Sequence, residues 1–462
     1  MLGTLVKRFI GVFARMERLT TPFRVVQHLH HLFRVAYYLH QLRGNLWLKP
    51  SVLRKMQNER LRAIVKHAYD NVPFYHKKFE EAGIKPDDIK TVEDLNKIPL
   101  TTKLEIQSKS FQEIIAMNVN QKNLVKNTTS GSTGIPLTIF CDRRVEDFYE
   151  AVWLRAMFED GLRLQDRMAV VADPRGFPKE KSLFQRLGFE RRKYISIFDS
   201  AERQMALLRK FKPDVVRGYA SSLFILATEF GEALRELKTR LIFSGAEPLD
   251  ASSKKIISSA FGGEIFDFYA CNEFGLLAWE CKAHDLRHLN ADITVVEFLD
   301  DEGEAVSPGE KGRVVCTGLF NYVMPLVRYE LDDVAVPVDD ECSCGITLPS
   351  IKRVEGRTDD FLVATDGRVI SPTVFFPYPF ENVDWIRQFR VIQESRKKLV
   401  IQVAVKETLA DQDIVVKNAE SKIRRLFGED MDVKFEFVDE IPRDLSGKLR
   451  KVISRVNRTT ES

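Results

Sequence analysis

Between residues 143 and about 270 the chain alternates short apolar runs of strand length with segments of helical period. The runs at 168–172, 214–217 and 239–244 are each followed by enough chain for a crossover helix. Parallel strands can be joined only through such crossovers, so this stretch predicts βαβ units and a largely parallel sheet covered by helices. Residues 1–80 read as helical, with a turn at Tyr69-Asp70-Asn71-Val72-Pro73-Phe74-Tyr75, and 91–100 reads as a short helix ending at Pro99. From 292 to 337 the period shortens to strands and turns, including Asp300-Asp301-Glu302-Gly303, which predicts a β-rich subdomain.

The last hundred residues have a pattern of their own. Strand-like runs at 389–393 and 399–405 flank a charged turn. A helix over 411–427 carries Ile414, Val415, Ile423, Leu426 and Phe427 broadly on one side, and 433–438 is a further strand. That is a compact α+β unit, with its boundary near 356–360. The expected organisation is therefore a helical N-terminal region over 1–80, the remainder of a large α/β domain over 81–357, a junction at 358–360, and a small α+β domain over 361–462.

The densest chemical signal is Thr128-Thr129-Ser130-Gly131-Ser132-Thr133-Gly134-Ile135-Pro136. Glycines let the backbone approach an anion closely, and successive N–H and hydroxyl groups can surround phosphate oxygens. No Gly-Lys-Ser/Thr follows, so it is not a Walker loop; by itself the segment could also be a polar turn between strands.

Together with six further motifs, this loop resembles that of the adenylate-forming enzymes of the acyl-CoA synthetase superfamily. The narrower resemblance is to the phenylacetate–CoA ligase family and its capsule-biosynthesis, CapK-like relatives. The motifs run in family order from about residue 60 to 453. Lys212-Pro213-Asp214-Val215-Val216-Arg217-Gly218-Tyr219 is similar to the strand and turn before the substrate pocket. Ser244-Gly245-Ala246-Glu247-Pro248-Leu249 resembles the adenine-contacting turn, and Tyr269-Ala270-Cys271-Asn272-Glu273 a Tyr-Gly-x-x-Glu motif. Met324-Pro325-Leu326-Val327-Arg328-Tyr329 matches a family signature. Gly356-Arg357-Thr358-Asp359-Asp360 resembles the hinge, and Ser446-Gly447-Lys448-Leu449-Arg450 the segment carrying the catalytic lysine. The chain departs at Ala270 and Asn272, and Glu330-Leu331-Asp332 stands where the family has Arg-Thr-Gly before the aspartate retained as Asp333.

The resemblance implies an adenylate-forming, acid–thiol ligase. A carboxylic acid, by family default an aryl acid, attacks the α-phosphate of ATP; the acyl group then passes to a thiol. Coenzyme A is the default acceptor, with a carrier-protein phosphopantetheine or, in a different class of reaction, a small-molecule hydroxyl as alternatives. Both reactants are anions, so such a site needs positive charge and aligned donors. The resemblance assigns Lys448 to the adenylation transition state and Glu273 to magnesium. It assigns the loop Thr129 to Gly134 to phosphate, and the turn Gly245, Ala246, Glu247 and Pro248 with Tyr269 to adenine. Asp333 is assigned to the ribose hydroxyls, Arg357 to ribose or phosphate, and Asp359 to the hinge. The acid pocket is expected around 219–223, 244–246 and 269–275.

Cys342-Ser343-Cys344-Gly345 is a tight thiol pair, and Cys281, His284 and His288 lie upstream. Three thiolates and one imidazole suit a closed, structural zinc, while reduced thiols with no metal fit the spacing equally well. Some relatives carry a Cys/His zinc site at matching positions, which favours Cys281, His288, Cys342 and Cys344 as the set.

Composition limits the remaining classes. With 70 basic and 66 acidic residues the net charge is +4, poor ground for a nucleic-acid partner. Six cysteines in 462 residues do not make a disulfide scaffold, so a reducing, cytoplasmic setting is expected. No run reaches the ~18 apolar residues of a membrane span, and the N-terminus lacks the pattern of a secretory signal. Residues 1–45 do carry seven Lys and Arg against the single acid Glu17, with apolar residues from Leu2 to Met16 at helical spacing. Such a helix suits either an anionic membrane surface or a seat on the body of the protein.

Overall fold

The computed structural model describes residues 22–129, 136–178, 185, 191–357, 360–371, 380, 386–405, 412–444 and 446–456. The helical spacing over 2–16, the loop residues Ser130, Gly131, Ser132, Thr133 and Gly134, and the hinge Asp359 lie outside them.

Among the described residues, eleven strands form the central sheet, in the order β10-β11-β12-β13-β9-β8-β7-β6-β5-β3-β4. Its α/β half comprises β3 (Arg167–Ala172), β4 (Arg191–Ser196), β5 (Val215–Tyr219), β6 (Leu241–Gly245) and β7 (Glu264–Cys271), all parallel. Strands buried on both faces need near-continuous apolar runs, which is what these segments contain. Helices Ala201–Phe211, Ala220–Phe230 and Ala251–Phe261 pack on one face around Leu208, Val216, Leu223, Ile242 and Ile257. The opposite face packs against the helix Arg143–Glu159 and the N-terminal helices Pro22–Gly44, Pro50–Asn71 and Pro73–Glu81, around Phe243, Phe266, Trp279 and Val152.

The β-rich stretch continues this sheet antiparallel: β8 (Gly275–Glu280), β9 (Arg287–Leu289), β10 (Thr294–Leu299), β11 (Gly312–Gly318), β12 (Tyr329–Val338) and β13 (Ser350–Arg357). It is thus not set apart from the α/β half. The three-residue β9 is the seam, pairing with β8 on one side and β13 on the other. The short helix expected over 91–100 is a 3-10 turn, Val92–Lys97, started by Thr91 and Asp94.

A separate hairpin of β1 (Val125–Thr128) and β2 (Thr138–Cys141) carries the glycine-rich loop at its tip. Beyond β13 lie the short pair β14 (Leu362–Val363) and β15 (Val369–Ile370). A four-stranded sheet of β16 (Ile386–Ser395), β17 (Lys398–Val405), β18 (Asp432–Val438) and β19 (Val452–Ser454) follows. With the helix Gln412–Phe427 it encloses its own core of Val391, Leu399, Ile401, Ile423 and Phe427. Part of the basic N-terminal stretch sits on the body. His31 and Arg34 meet Asp147 of the 143–159 helix at 2.6 and 2.5 Å. No helix among the described residues is long and apolar enough to cross a membrane.

Candidate active site

The carboxyl ends of parallel strands are where an open α/β sheet presents ligands. Here β5, β6 and β7 end at Tyr219, Gly245 and Cys271. Past β6, Ala246 takes a left-handed conformation (φ +66°), uncommon for a residue with a side chain and a mark of a constrained turn. Past β7, Asn272 Nδ2 donates to Thr128 O at 2.9 Å. That bond joins the Tyr269–Glu273 motif to the root of the glycine-rich hairpin. Thr129 closes the same root: its Oγ1 accepts from Leu137 N at 2.9 Å, and its own N–H donates to Leu137 O at 2.8 Å.

Asp333 on β12 and Arg357 on β13 are cross-strand partners, which brings two motifs 24 residues apart face to face. Arg357 Nε lies 3.8 Å from Asp333 Oδ1, and Tyr269 OH donates to Asp333 Oδ2 at 2.7 Å. Burial raises the Asp333 carboxyl, while Arg357, the tyrosine hydroxyl and the Lys448 cation oppose the rise. Burial raises Glu273 too; the charge of Asp333 adds to this, and Arg357 and Lys103 work against it. Each carboxyl is raised by burial, so a cation brought close would favour the anionic form of both. Burial, with the charge of Asp333 adding, holds Tyr269 well above the usual phenol range, so it stays a donor. Its hydroxyl is thus committed to Asp333, and only its ring is left for a base.

Lys448 is half-buried on a loop that the sequence shapes tightly. Asp444 Oδ1 accepts from the N–H groups of Ser446 and Lys448 at 2.8 and 3.0 Å and from Ser446 Oγ at 2.6 Å. Gly447 has φ +80°, and a Cβ there would stand 2.6 Å from Ile197 Cγ2, so both backbone and space demand glycine. The loop is seated on the large domain. Glu247 Oε1 accepts from Leu449 N at 2.6 Å while its Oε2 accepts from Ser221 N at 2.8 Å. Arg443 donates to Ser221 Oγ at 2.7 Å, and Lys451 reaches Asp250 at 3.3 Å. Arg387 pairs with Glu229 at 2.6 Å. Glu247, in the turn expected at adenine, bridges Ser221 and Leu449 through its two carboxylate oxygens; Gly245, Ala246 and Pro248 form the turn around it.

Two residues of the motifs do other work. Arg328 is buried and donates to the carbonyls of Asn96 and Ile98 at 3.0 and 2.7 Å, so it ties these segments together. Arg217, on β5, lies 3.9 Å above the ring of Trp153. The sequence reading singled out neither Arg217 nor the contact of Glu247 with Leu449. The available signal for Arg217 was an arginine inside the apolar run Val215-Val216-Arg217.

The second cluster is Cys281, His288, Cys342 and Cys344, whose ligand atoms all lie within 4.8 Å of one another. Cys281 and Cys342 sulfurs are 3.5 Å apart, and His288 Nε2 is 3.2 Å from Cys344 Sγ. His288 Nδ1 faces Leu348 O at 3.3 Å, the outer contact that orients an imidazole toward a metal. Burial lowers His288, which favours the neutral ring, and raises Cys281 and Cys344, so a nearby cation is what would hold them as thiolates. His284 is elsewhere, paired with Glu264 at 3.1 Å and Glu280 at 3.4 Å. The donor set fits tetrahedral zinc.

The fold and this juxtaposition of motifs define an adenylate-forming ligase. Residues 362–455 match the family model of the CapK C-terminal domain. The chain is 31% identical over 322 residues to a phenylacetate-coenzyme A ligase of Pseudomonas putida, covering 67% of this chain and 72% of that protein. It is 26% identical over 435 residues to a phenylacetate-coenzyme A ligase of Thermus thermophilus, covering 87% and 96%. The chain belongs to the phenylacetate–coenzyme A ligase family. In fold it matches 2-hydroxyisobutyryl-CoA ligase in the postadenylation state with a TM-score of 0.76 at 22% identity, over 89% of this chain and 91% of that one. Against the same enzyme in the thioesterification state the TM-score is 0.62.

Proposed function

We propose that this ligase activates a carboxylic acid with ATP, forming an acyl-adenylate and releasing pyrophosphate, and then transfers the acyl group to the thiol of coenzyme A. The observation that carries the reading is the seating of the 443–451 loop, which brings the Lys448 charge to bear on Asp333 while Glu247 holds Leu449. An ammonium there meets the charge that develops on the α-phosphate as the acid carboxylate attacks and pyrophosphate leaves. Asp333, oriented by Tyr269 and Arg357, accepts the ribose hydroxyls. The hairpin loop cradles the phosphates, and the Gly245–Pro248 turn with the Tyr269 ring flanks the base. Glu273 would hold magnesium, which would offset the charge of the phosphates. Cys281, His288, Cys342 and Cys344 would hold zinc, whose role would be structural, since four protein ligands leave no open position.

Docked against β5 and β6, the loop occupies the place the second half-reaction must vacate for the thiol. Rotation about the segment containing Asp359 is the proposed route, over the domain limits 81–357 and 361–462. The names of the phenylacetate ligases support an aryl acid and coenzyme A. The test is pyrophosphate exchange across aryl, fatty and amino acids, with product analysis. Acid-dependent exchange and a coenzyme A thioester are expected. A stable adenylylated hydroxyl compound would establish the transferase alternative, and acyl transfer only to a carrier protein would replace coenzyme A. Lys448→Ala should cut acyl-AMP formation at least ~100-fold, the scale of losing one preorganised charge, and spare thioester formation from supplied acyl-AMP. Unchanged adenylation in this variant would remove Lys448 from the mechanism.

A further inference from the structure

Arg217 is a half-buried cation with no anionic partner among the described residues. Trp153 covers one face of its guanidinium at 3.9 Å. That stacking stabilises the charge but leaves the five in-plane N–H donors unused. Its charged neighbour makes matters worse: burial, with Arg192 adding, lowers Arg217 to about 10, while the hydroxyls of Tyr194 and Tyr219 give only a weak counterpoise. Arg192 itself faces Glu150 at 3.6 Å, so that carboxylate is already engaged. None of its nitrogens is among the fully buried polar atoms without a partner, so water reaches them, and a ligand carboxylate entering there would replace that water with a charge-assisted pair.

Its position says what that something is. In the register of the parallel strands, Arg217 stands between Val170 and Phe243, on the face toward the 143–159 helix. Two residues further along the strand, on the same face, Tyr219 stands beside Gly245, which pairs with Phe268. Trp153 packs against Phe268 with ring centroids 5.5 Å apart. Arg217 and Trp153 therefore lie about 6–7 Å below the strand ends, two strand residues deep. The strand ends are where the reacting carboxylate meets Lys448 and the nucleotide.

We infer that Arg217 is the specificity residue of the acid pocket, and that the acid it selects carries a second carboxylate about one aromatic ring away from the carboxylate that reacts. The inference rests on the acid-activating function proposed above. The tail anion takes the guanidinium edge-on in a two-pronged hydrogen bond, which a neutral tail cannot do. An acid with an apolar tail would bury the cation without a partner, and such sites discriminate strongly against the analogue that lacks the polar group.

The test compares two probes, phenylacetate and 4-carboxyphenylacetate, by calorimetric binding to the full chain, alongside ATP–pyrophosphate exchange. The wild type should bind 4-carboxyphenylacetate at least ~10-fold more tightly than phenylacetate, the scale of a hydrogen bond to a charged group. Arg217→Met should abolish or invert that preference, and Arg217→Lys should keep part of it. Should the Met variant fail to fold, Arg217→Gln takes its place. Equal binding of the two probes by the wild type, or an unaltered preference in the variants, would overturn the assignment. Selective, Arg217-dependent binding without exchange for any acid would sustain Arg217 and refute acid activation. Exchange with phenylacetate alone, equal in wild type and Arg217→Met, would sustain activation and refute Arg217.

Discussion

Asp160 shows how one buried side chain can set a pH dependence that no motif foretells. It caps the C-terminal end of the 143–159 helix, where its own N–H donates to Ala156 O and Phe158 O. It is 1% exposed, and neither carboxyl oxygen has a hydrogen-bond partner among the described residues. Burial pushes it up to about 9; Lys282 opposes this, and Glu280, Glu264 and Glu159 add to it. The native state thus holds a proton that the unfolded chain, with an ordinary carboxyl near ~4, has already lost. Proton uptake on folding makes stability fall as pH rises between these two values. The negative end of the helix dipole disfavours the anion further. Asp160→Asn removes the titration, so its melting temperature should change less between pH 5 and pH 8 than that of the wild type, by the equivalent of ~1–3 kcal/mol. Calorimetry at the two pH values checks this; parallel profiles would mean that Asp160 is ionised in the native state. At this scale the sequence was informative only where a motif framed the residue. Lys448, Glu273, Asp333 and Arg357 could be named, whereas Asp160 and Arg217 owe their character to burial, which neighbours distant in sequence create.

At the scale of elements, the turn after β6 and the 443–451 loop form one device. Glu247 reads two backbone N–H groups, one in each domain, and a carboxylate accepting from N–H is a strong, charge-assisted contact. Glu247→Gln keeps the size and removes one of the two acceptor oxygens. We expect acyl-AMP formation to drop about 10-fold, from loss of about 1.4 kcal/mol of loop seating. Thioester formation from supplied acyl-AMP should be little affected, because the rotation proposed above would take the loop out of the clamp. Separate single-turnover rates for the two half-reactions measure this, and equal losses in both would point to a structural role for Glu247. The elements themselves were legible as strands and helices, because continuous apolar runs and helical spacing are local properties. The partner of Glu247 was not, since 202 residues separate it from Leu449.

For the whole molecule, the cysteine–histidine cluster sits at the seam of the sheet. His288 lies on the three-residue β9, Cys281 follows β8, and Cys342 and Cys344 lie between β12 and β13, so a metal would tie the β8–β9 turn to the β12–β13 connection within the antiparallel half. We expect about one zinc per chain by metal analysis, and its loss in Cys342→Ser/Cys344→Ser. That loss should lower the melting temperature by roughly 5 °C or more, because binding free energy is folding free energy at such a site. Metal-free protein of equal stability would show ordinary thiols. The division between what was readable and what was not follows from range. The sequence by itself determined the α/β class, the order of the motifs and the compact α+β unit at the C-terminus, because hydrophobic period, turn residues and contiguous motifs are local. Only the tertiary structure decided that the β-rich stretch extends the same sheet, and that Asp333 faces Arg357 across two strands. It alone decided that Glu247 grips the lysine loop. Each of those outcomes depends on strand register and domain docking, which are settled by packing between segments far apart in the chain.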